Sequence, residues 1–144
     1  MWLPYCLVRQ TPPSSASDPR AAADPRHELG LAGEAAAIAW LEARGWTVEA
    51  HRWRFGRHDI DLVIRQGSQV AFVEVKTRTS GGLGVPQEAV GWRKRRILDV
   101  GASWWRERFG RPDDHFRFDV MAVVAGPDGS FRFEHLEGAW RLGE

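Results

Sequence analysis

Two runs of alternating apolar residues on either side of one turn constrain this chain more than any other feature. In Asp59 to Ile64, the residues Ile60, Leu62 and Ile64 occupy one face. Gln66-Gly67 then supplies turn residues, and a second extended run follows over Gln69 to Lys76. Runs so close in sequence read as an antiparallel hairpin. Strand side chains alternate, so Glu74 and Lys76 share a face and Val75 takes the other. A two- or four-residue loop makes paired residue numbers sum to 133 or 135. Either odd sum brings Asp61 to the face of Phe72, Glu74 and Lys76, whereas a one-residue slip turns it away.

Two carboxylates brought together repel unless a proton or cation lies between them. A hard divalent ion such as Mg²⁺ (or Mn²⁺) takes one or two carboxylates and keeps waters for substrate phosphates. Lys76 on the same face is placed to orient a water or to stabilise developing negative charge. A plain cross-strand salt bridge from Lys76 to Glu74 or Asp61 fits the same three residues, and their spacing alone does not separate the readings. Glu34 adds weight to the metal reading. It follows Leu31 by three residues and precedes Ile38 by four, on the apolar side of a helix, where a lone carboxylate is costly unless paired or metal-bound. Its alternative is a place at the helix edge, bonded to a nearby arginine or a backbone N–H.

Around this pair the chain reads as one α/β unit. Met1 to Ala23 has Pro-Pro, Ser-Ser and Ala-Ala-Ala without periodicity, and we expect residues 1–23 to form a disordered extension ahead of a single domain over 24–144. Its apolar start is broken by Pro4 and lacks preceding basic residues, which argues against a secretory signal. Asp24-Pro25 opens a helix that runs to about Arg44 and stops at Gly45, with Leu31, Ala35, Ile38 and Leu41 as its inner stripe. Trp46 to Trp53 is a strand, and Arg54-Phe55-Gly56-Arg57 a basic connection into the hairpin. After Ser80 to Pro86 a second helix reaches about Phe109, with Val90, Ile97, Gly101 and Trp104 inward and Arg95, Arg96, Asp99 and Arg106 outward. Phe116 to Val124 alternate as a fourth strand, and Pro127-Asp128-Gly129 turns into a short fifth with Phe131 and Phe133. The order α-β-β-β-α-β-β predicts a mixed central sheet flanked by helices. A right-handed crossover is expected if strands three and four are parallel.

Composition limits the function classes. The 144 residues are 43% hydrophobic with a net charge of +1, values of a globular domain with a substantial core. No apolar run suits a membrane span. A single cysteine, Cys6, excludes an internal disulfide framework and a multi-thiolate zinc site, and points to a reducing, cytoplasmic setting. Of 20 basic residues all but Lys76 and Lys94 are arginines, a bias that suits phosphate binding and equally a genome rich in G and C.

The ordered string of Gly33-Glu34, Ala35 to Gly45, Asp59-Ile60-Asp61-Leu62-Val63, Phe72-Val73-Glu74-Val75-Lys76-Thr77-Arg78 and Arg117-Phe118-Asp119-Val120 resembles the YraN family of bacterial proteins. These are endonuclease-like members of the PD-(D/E)XK nuclease superfamily, akin to Holliday-junction resolvases, and the likeness extends from about Leu29 to Trp140. The resemblance implies a restriction-endonuclease-like fold and Mg²⁺-dependent cleavage of DNA. It implies Mg²⁺ held by Asp61, Glu74 and the Val75 carbonyl, Lys76 as catalytic lysine, Glu34 as first-helix acid, and a homodimer by analogy with junction-cutting relatives. The chain departs from the family pattern at His58-Asp59-Ile60-Asp61, where Gly-Glu-Ile-Asp is usual. His58 reads as a loop histidine.

Several residues extend the nucleic-acid reading. Gln87 and Lys94, from the second helix and its approach, are placed to point back at the site; for Lys94, snorkelling to water fits as well. Arg93, Lys94, Arg95 and Arg96 form a basic cluster, and Arg52, Arg54, Arg57 and Arg78 border the hairpin. Such clusters bind phosphate backbones, and they also serve as solvated faces. Trp46 and Trp104 fit core spacing, whereas Trp92 and the Trp104-Trp105 pair offer a partner surface. Asp119 reads as structural, paired with an arginine near Arg117.

Overall fold

The computed structural model describes residues 24–79 and 90–141. The elements, in order, are α1 (Pro25–Ala43), β1 (Thr47–Phe55), β2 (His58–Gln66), β3 (Gln69–Thr79), α2 (Trp92–Phe109), β4 (His115–Ala125) and β5 (Phe131–Trp140). The proposed extension over residues 1–23 and Gln87 lie outside the described residues. The strands form one sheet in the order β1-β2-β3-β4-β5. β3 and β4 are parallel and every other neighbouring pair antiparallel. This is the mixed-sheet, restriction-endonuclease-like α/β architecture expected from the sequence.

Both ends of α1 follow local chemistry. Asp24 accepts the Arg26 N–H at 3.0 Å, Pro25 sits in the first turn, and Gly45 takes φ +87° just past the end. Its buried line differs from the expected one: Gly33, Ala37 and Leu41 pack inward, while Leu31 and Ala35 are exposed. Small residues win because the helix lies flush on β3. A Cβ at Gly33 would stand 2.0 Å from the Thr77 hydroxyl oxygen. α2 starts at Trp92, later than expected, with Gly91 as its N-cap, and it too is rotated relative to the sequence reading. Leu98, Gly101, Ala102 and Trp105 face the sheet, and Trp104 is left partly exposed. Gly101 gives flat space to the Phe55 ring, whose nearest carbon would lie 2.5 Å from an added Cβ. Phe55 is therefore core at the end of β1 rather than part of a connection. Arg95 is also not outward: it folds back, donating to the Val90 carbonyl at 2.9 Å and lying over Trp140.

The two sheet faces carry separate apolar clusters. Phe72, Val63, Val70, Phe118 and Val120 pack under α2, and Leu62, Ile64, Ala71, Val73, Met121 and Val123 pack under α1. Ile60 breaks the expected face of Leu62 and Ile64 by joining the α2 cluster. β1 and β2 twist across one another at that point. Their register passes from His51↔Leu62 to Trp53↔Ile60, and Arg52, between them, has φ +52°. The fifth strand runs on to Trp140, longer than the sequence suggested, because Trp140 stacks on Phe118 with ring centroids 4.7 Å apart.

Two buried ion pairs also pin the sheet. The Arg65 guanidinium reaches Asp114 in a two-point bond, at 2.5 Å and 2.8 Å, and also pairs with Glu49. It ties β2 and β1 to the turn before β4. Asp119, fully buried, accepts from His135 at 2.7 Å and from the Gly138 N–H at 2.9 Å, and its other neighbour is Arg117 at 3.0 Å. The structural role read for Asp119 is thus to hold β4 and β5 where their register shifts.

Because α1 rests on Thr77 through Gly33, Gly33→Ala is expected to destabilise the protein by about 1–3 kcal/mol, the usual cost of overpacking. Urea unfolding checks this; an unchanged midpoint would mean that the helix does not sit flush on β3.

Candidate metal-dependent active site

The observed hairpin pairs Gln66 with Gln69 across a Gly67-Ser68 turn and continues to Leu62↔Val73. The two-residue turn falls one residue later than the expected Gln66-Gly67, so paired numbers sum to 135, the value expected of a four-residue loop, and this odd sum puts Asp61 and Glu74 on a shared face. The ladder ends there. Upstream, β2 keeps only its β1 neighbour, and downstream β3 keeps only β4, with Glu74↔Val120, Val75↔Met121 and Lys76↔Ala122 in register. In the opening between the diverging strands, Asp61 Oδ2 accepts the Val75 N–H at 2.8 Å. A side-chain carboxylate thus satisfies a backbone donor that the neighbouring strand has abandoned.

Glu74 is 5% exposed, and its Oε2 is buried without a hydrogen-bond partner. Its other oxygen lies 3.2 Å from Lys76 Nζ and 3.6 Å from Lys94 Nζ. Lys94 therefore points back into the site from α2, and one carboxylate oxygen gathers both lysines of the chain. Asp61 is held well above the usual carboxylate range, from 3.8 to about 7. Burial is the main cause, and the Glu74 charge adds to it, while the Val75 N–H pulls the other way. A buried, unpaired carboxylate oxygen next to an acid that resists ionising is a donor set suited to a cation. The residues fit Mg²⁺ or Mn²⁺, which need few protein oxygens.

Glu34 has other partners. Its Oε2 accepts from His51 at 2.8 Å and from Arg52 at 2.9 Å, and Oε1 accepts from Arg52 at 3.3 Å. Partial burial raises its pKa, but these hydrogen bonds outweigh burial and leave the carboxyl below its ordinary value. Among the described residues, no three His, Cys, Asp or Glu side chains gather as a metal-ligand set. The structure thus brings Asp61, Glu74, Val75, Lys76 and Lys94 together, and places Glu34 in a neighbouring ion pair. Arg57 is exposed at the β1–β2 turn, Arg93 is exposed on α2, and Arg78 is half-buried near the end of β3. Glu34 thus takes the alternative the sequence left open, a bond to a nearby arginine, and only His51 and the choice of Arg52 escaped the sequence reading, because the left-handed backbone of Arg52 has no sequence signal in an arginine.

The fold is thus a restriction-endonuclease-like α/β sheet, and its diverging central strands present an aspartate and a Glu-x-Lys. Its family is equally plain. The profile of the uncharacterised protein family UPF0102 matches residues 33–123. A UPF0102 protein of Anaeromyxobacter dehalogenans is 44% identical over 81% of this chain and 87% of its own length. Another, from Porphyromonas gingivalis, is 40% identical over 81% and 86%, and one from Geobacter sulfurreducens is 40% identical over 79% and 89%. The chain belongs to UPF0102, the YraN family. Among the described residues no helix is long and apolar enough to cross a membrane.

The raised Asp61 pKa has a consequence for stability. The fold disfavours the ionised form, so stability falls as pH rises from about 4 through 7, and the whole penalty is present above 7. Asp61→Asn keeps an oxygen for the Val75 N–H and removes the charge. Without metal at pH 8, thermal melts should show the variant more stable than the parent by more than about 1.4 kcal/mol, the value of one pKa unit. That margin should shrink toward pH 4, and Mg²⁺ should stabilise the parent only.

Proposed function

We propose that this protein is a Mg²⁺-dependent nuclease that binds DNA and hydrolyses phosphodiester bonds. The observation that carries this reading is the buried Glu74 carboxylate, with one oxygen unpartnered and the other facing two lysines, beside an Asp61 that resists ionisation. Asp61, Glu74 and the Val75 carbonyl are the groups that would hold the ion. When bound, it would offset both carboxylates, acidify water and stabilise charge on phosphate oxygens.

The chain's own groups account for the rest. Lys76, half-exposed at the rim, pairs with Glu74 and presents an ammonium to the phosphate that gains charge as water adds and the leaving oxygen departs. Lys94 approaches the same oxygen from α2 and adds positive charge on the substrate side. Glu34 orients Arg52 at the opposite edge, next to Asp61 in the β1–β2 register. Arg57, Arg78 and Arg93 supply phosphate contacts around this rim. The same groups bind RNA phosphates, so the choice of DNA rests on the family resemblance.

A binding module without turnover is the second reading. It is favoured by the commitment of Glu34 to Arg52 and His51, which leaves two side-chain carboxylates for the ion. Labelled linear, nicked and branched DNA incubated with Mg²⁺, Mn²⁺ or EDTA separates the two. We expect metal-dependent cleavage of at least one substrate, reduced roughly 100-fold or more in Glu74→Gln and Lys76→Ala, as for loss of a group that stabilises transition-state charge. Salt-sensitive binding with no cleavage under either metal would establish the second reading instead.

A further inference from the structure

Trp92 opens α2 with 63% of its surface exposed, the most of any large apolar residue described. Two guanidiniums lie against it: Arg93 at 5.3 Å and Arg96 at 5.6 Å from the ring centroid. Both distances lie within the range of cation–π attraction. Residues 93–96 are all basic, and the first turn of α2 has no acid. Cations at this end of a helix oppose the macrodipole, so the sequence gives up helix stability here. Arg95 and Lys94 turn inward, to Val90 and Glu74, but the exposed indole, Arg93 and Arg96 do not serve the core: Leu98, Gly101, Ala102 and Trp105 do the packing.

We infer that Trp92, flanked by Arg93 and Arg96, is a stacking platform for an unpaired base, and that the chain engages single-stranded nucleic acid or an unpaired segment of a larger structure. This rests on the nuclease reading of the neighbouring site and names its substrate class. An indole face stacks on any base, but a paired base within a duplex keeps its faces covered by its neighbours. The arginines serve the flanking phosphates. A peptide partner would use the ring as well, yet the two exposed arginines against it suit a polyanion better than an apolar surface. Helical spacing places Trp92 and Lys94 on different sides of the first turn. Lys94 meets Glu74 on the inner side. A strand that crosses this turn, over a helix roughly 10 Å thick, passes from the stacking platform to the carboxylates.

The test uses the full chain and a fluorescent deoxyoligonucleotide, with an abasic oligonucleotide of equal length and a matched duplex as probes, all in EDTA to prevent cleavage. Binding is read by polarisation. The parent should prefer the base-bearing single strand to both other probes. Trp92→Ala should weaken that complex about tenfold, in line with the loss of one stacked base, and leave abasic binding unchanged. Trp92→Phe should restore most of the loss. Equal losses on base-bearing and abasic strands, equal parent affinity for the abasic strand, or no binding to any probe would overturn the inference. So would Trp92-dependent self-association in place of nucleic-acid binding, which marks a protein-facing surface. Mg²⁺-dependent cleavage is scored separately on the same proteins. Trp92-dependent binding without cleavage supports the platform and defeats only the nuclease reading; cleavage with no Trp92-dependent binding defeats only the platform.

Discussion

The hydrogen bond from the Val75 N–H to the Asp61 carboxylate closes the point where β2 and β3 part. Elsewhere, backbone partners hold the central strands together. Here a charged side chain does so, and that brings an acid into a place where ionising is unfavourable. Burial and the nearby Glu74 charge push Asp61 toward its neutral form. Glu74, in turn, keeps one oxygen buried without a partner. The divergence of two strands therefore creates both the space for a site and its electrostatic tension. A cation between the acids would relieve that tension, which is the support for the metal reading proposed above. Lys76 does make the salt bridge, but it reaches only the oxygen that Lys94 also approaches.

The divergence is supported from both sides of the sheet. On one side, α1 approaches β3 closely because Gly33 meets Thr77, and this sets Glu34 beside His51 and Arg52. Arg52 holds a left-handed backbone at the twist between β1 and β2, a conformation that costs energy in any residue with a Cβ. Its two-point bond to Glu34 offsets that cost. On the other side, α2 rests on Phe55 through Gly101 and delivers Lys94 to Glu74. The Arg65–Asp114 and Asp119–His135 pairs fix the sheet at other points, so the opening between β2 and β3 lies within a well-tied frame.

The same geometry explains the division of labour along α2. Its later turns bury Leu98, Ala102 and Trp105 in the core, and its first turn is spent on charge and one exposed ring. The helix is a structural crossover between parallel strands for most of its length. At its start it becomes a basic surface, beside the acids of the diverging strands.

Much of this was legible in the sequence. Alternation and turn residues define the strands, Asp24-Pro25 and Gly45 bound the first helix, and odd pairing parity places Asp61 with Glu74 and Lys76. These are local properties, set by strand pleat, capping chemistry and loop length. Tertiary structure decided what local pattern leaves open. Helix rotation depends on which residue lets two elements touch, so Gly33 displaced Leu31 as a contact position on α1, and on α2 Gly101 kept its expected place while Trp105 took that of Trp104. The partner of Glu34 depends on a backbone twist at Arg52 that no residue type announces. Whether Glu74 pairs, and with which atoms, depends on where α2 lands. Sequence alone determined which groups could meet; packing decided which of them did, because close contact between elements is set by the shapes of both surfaces.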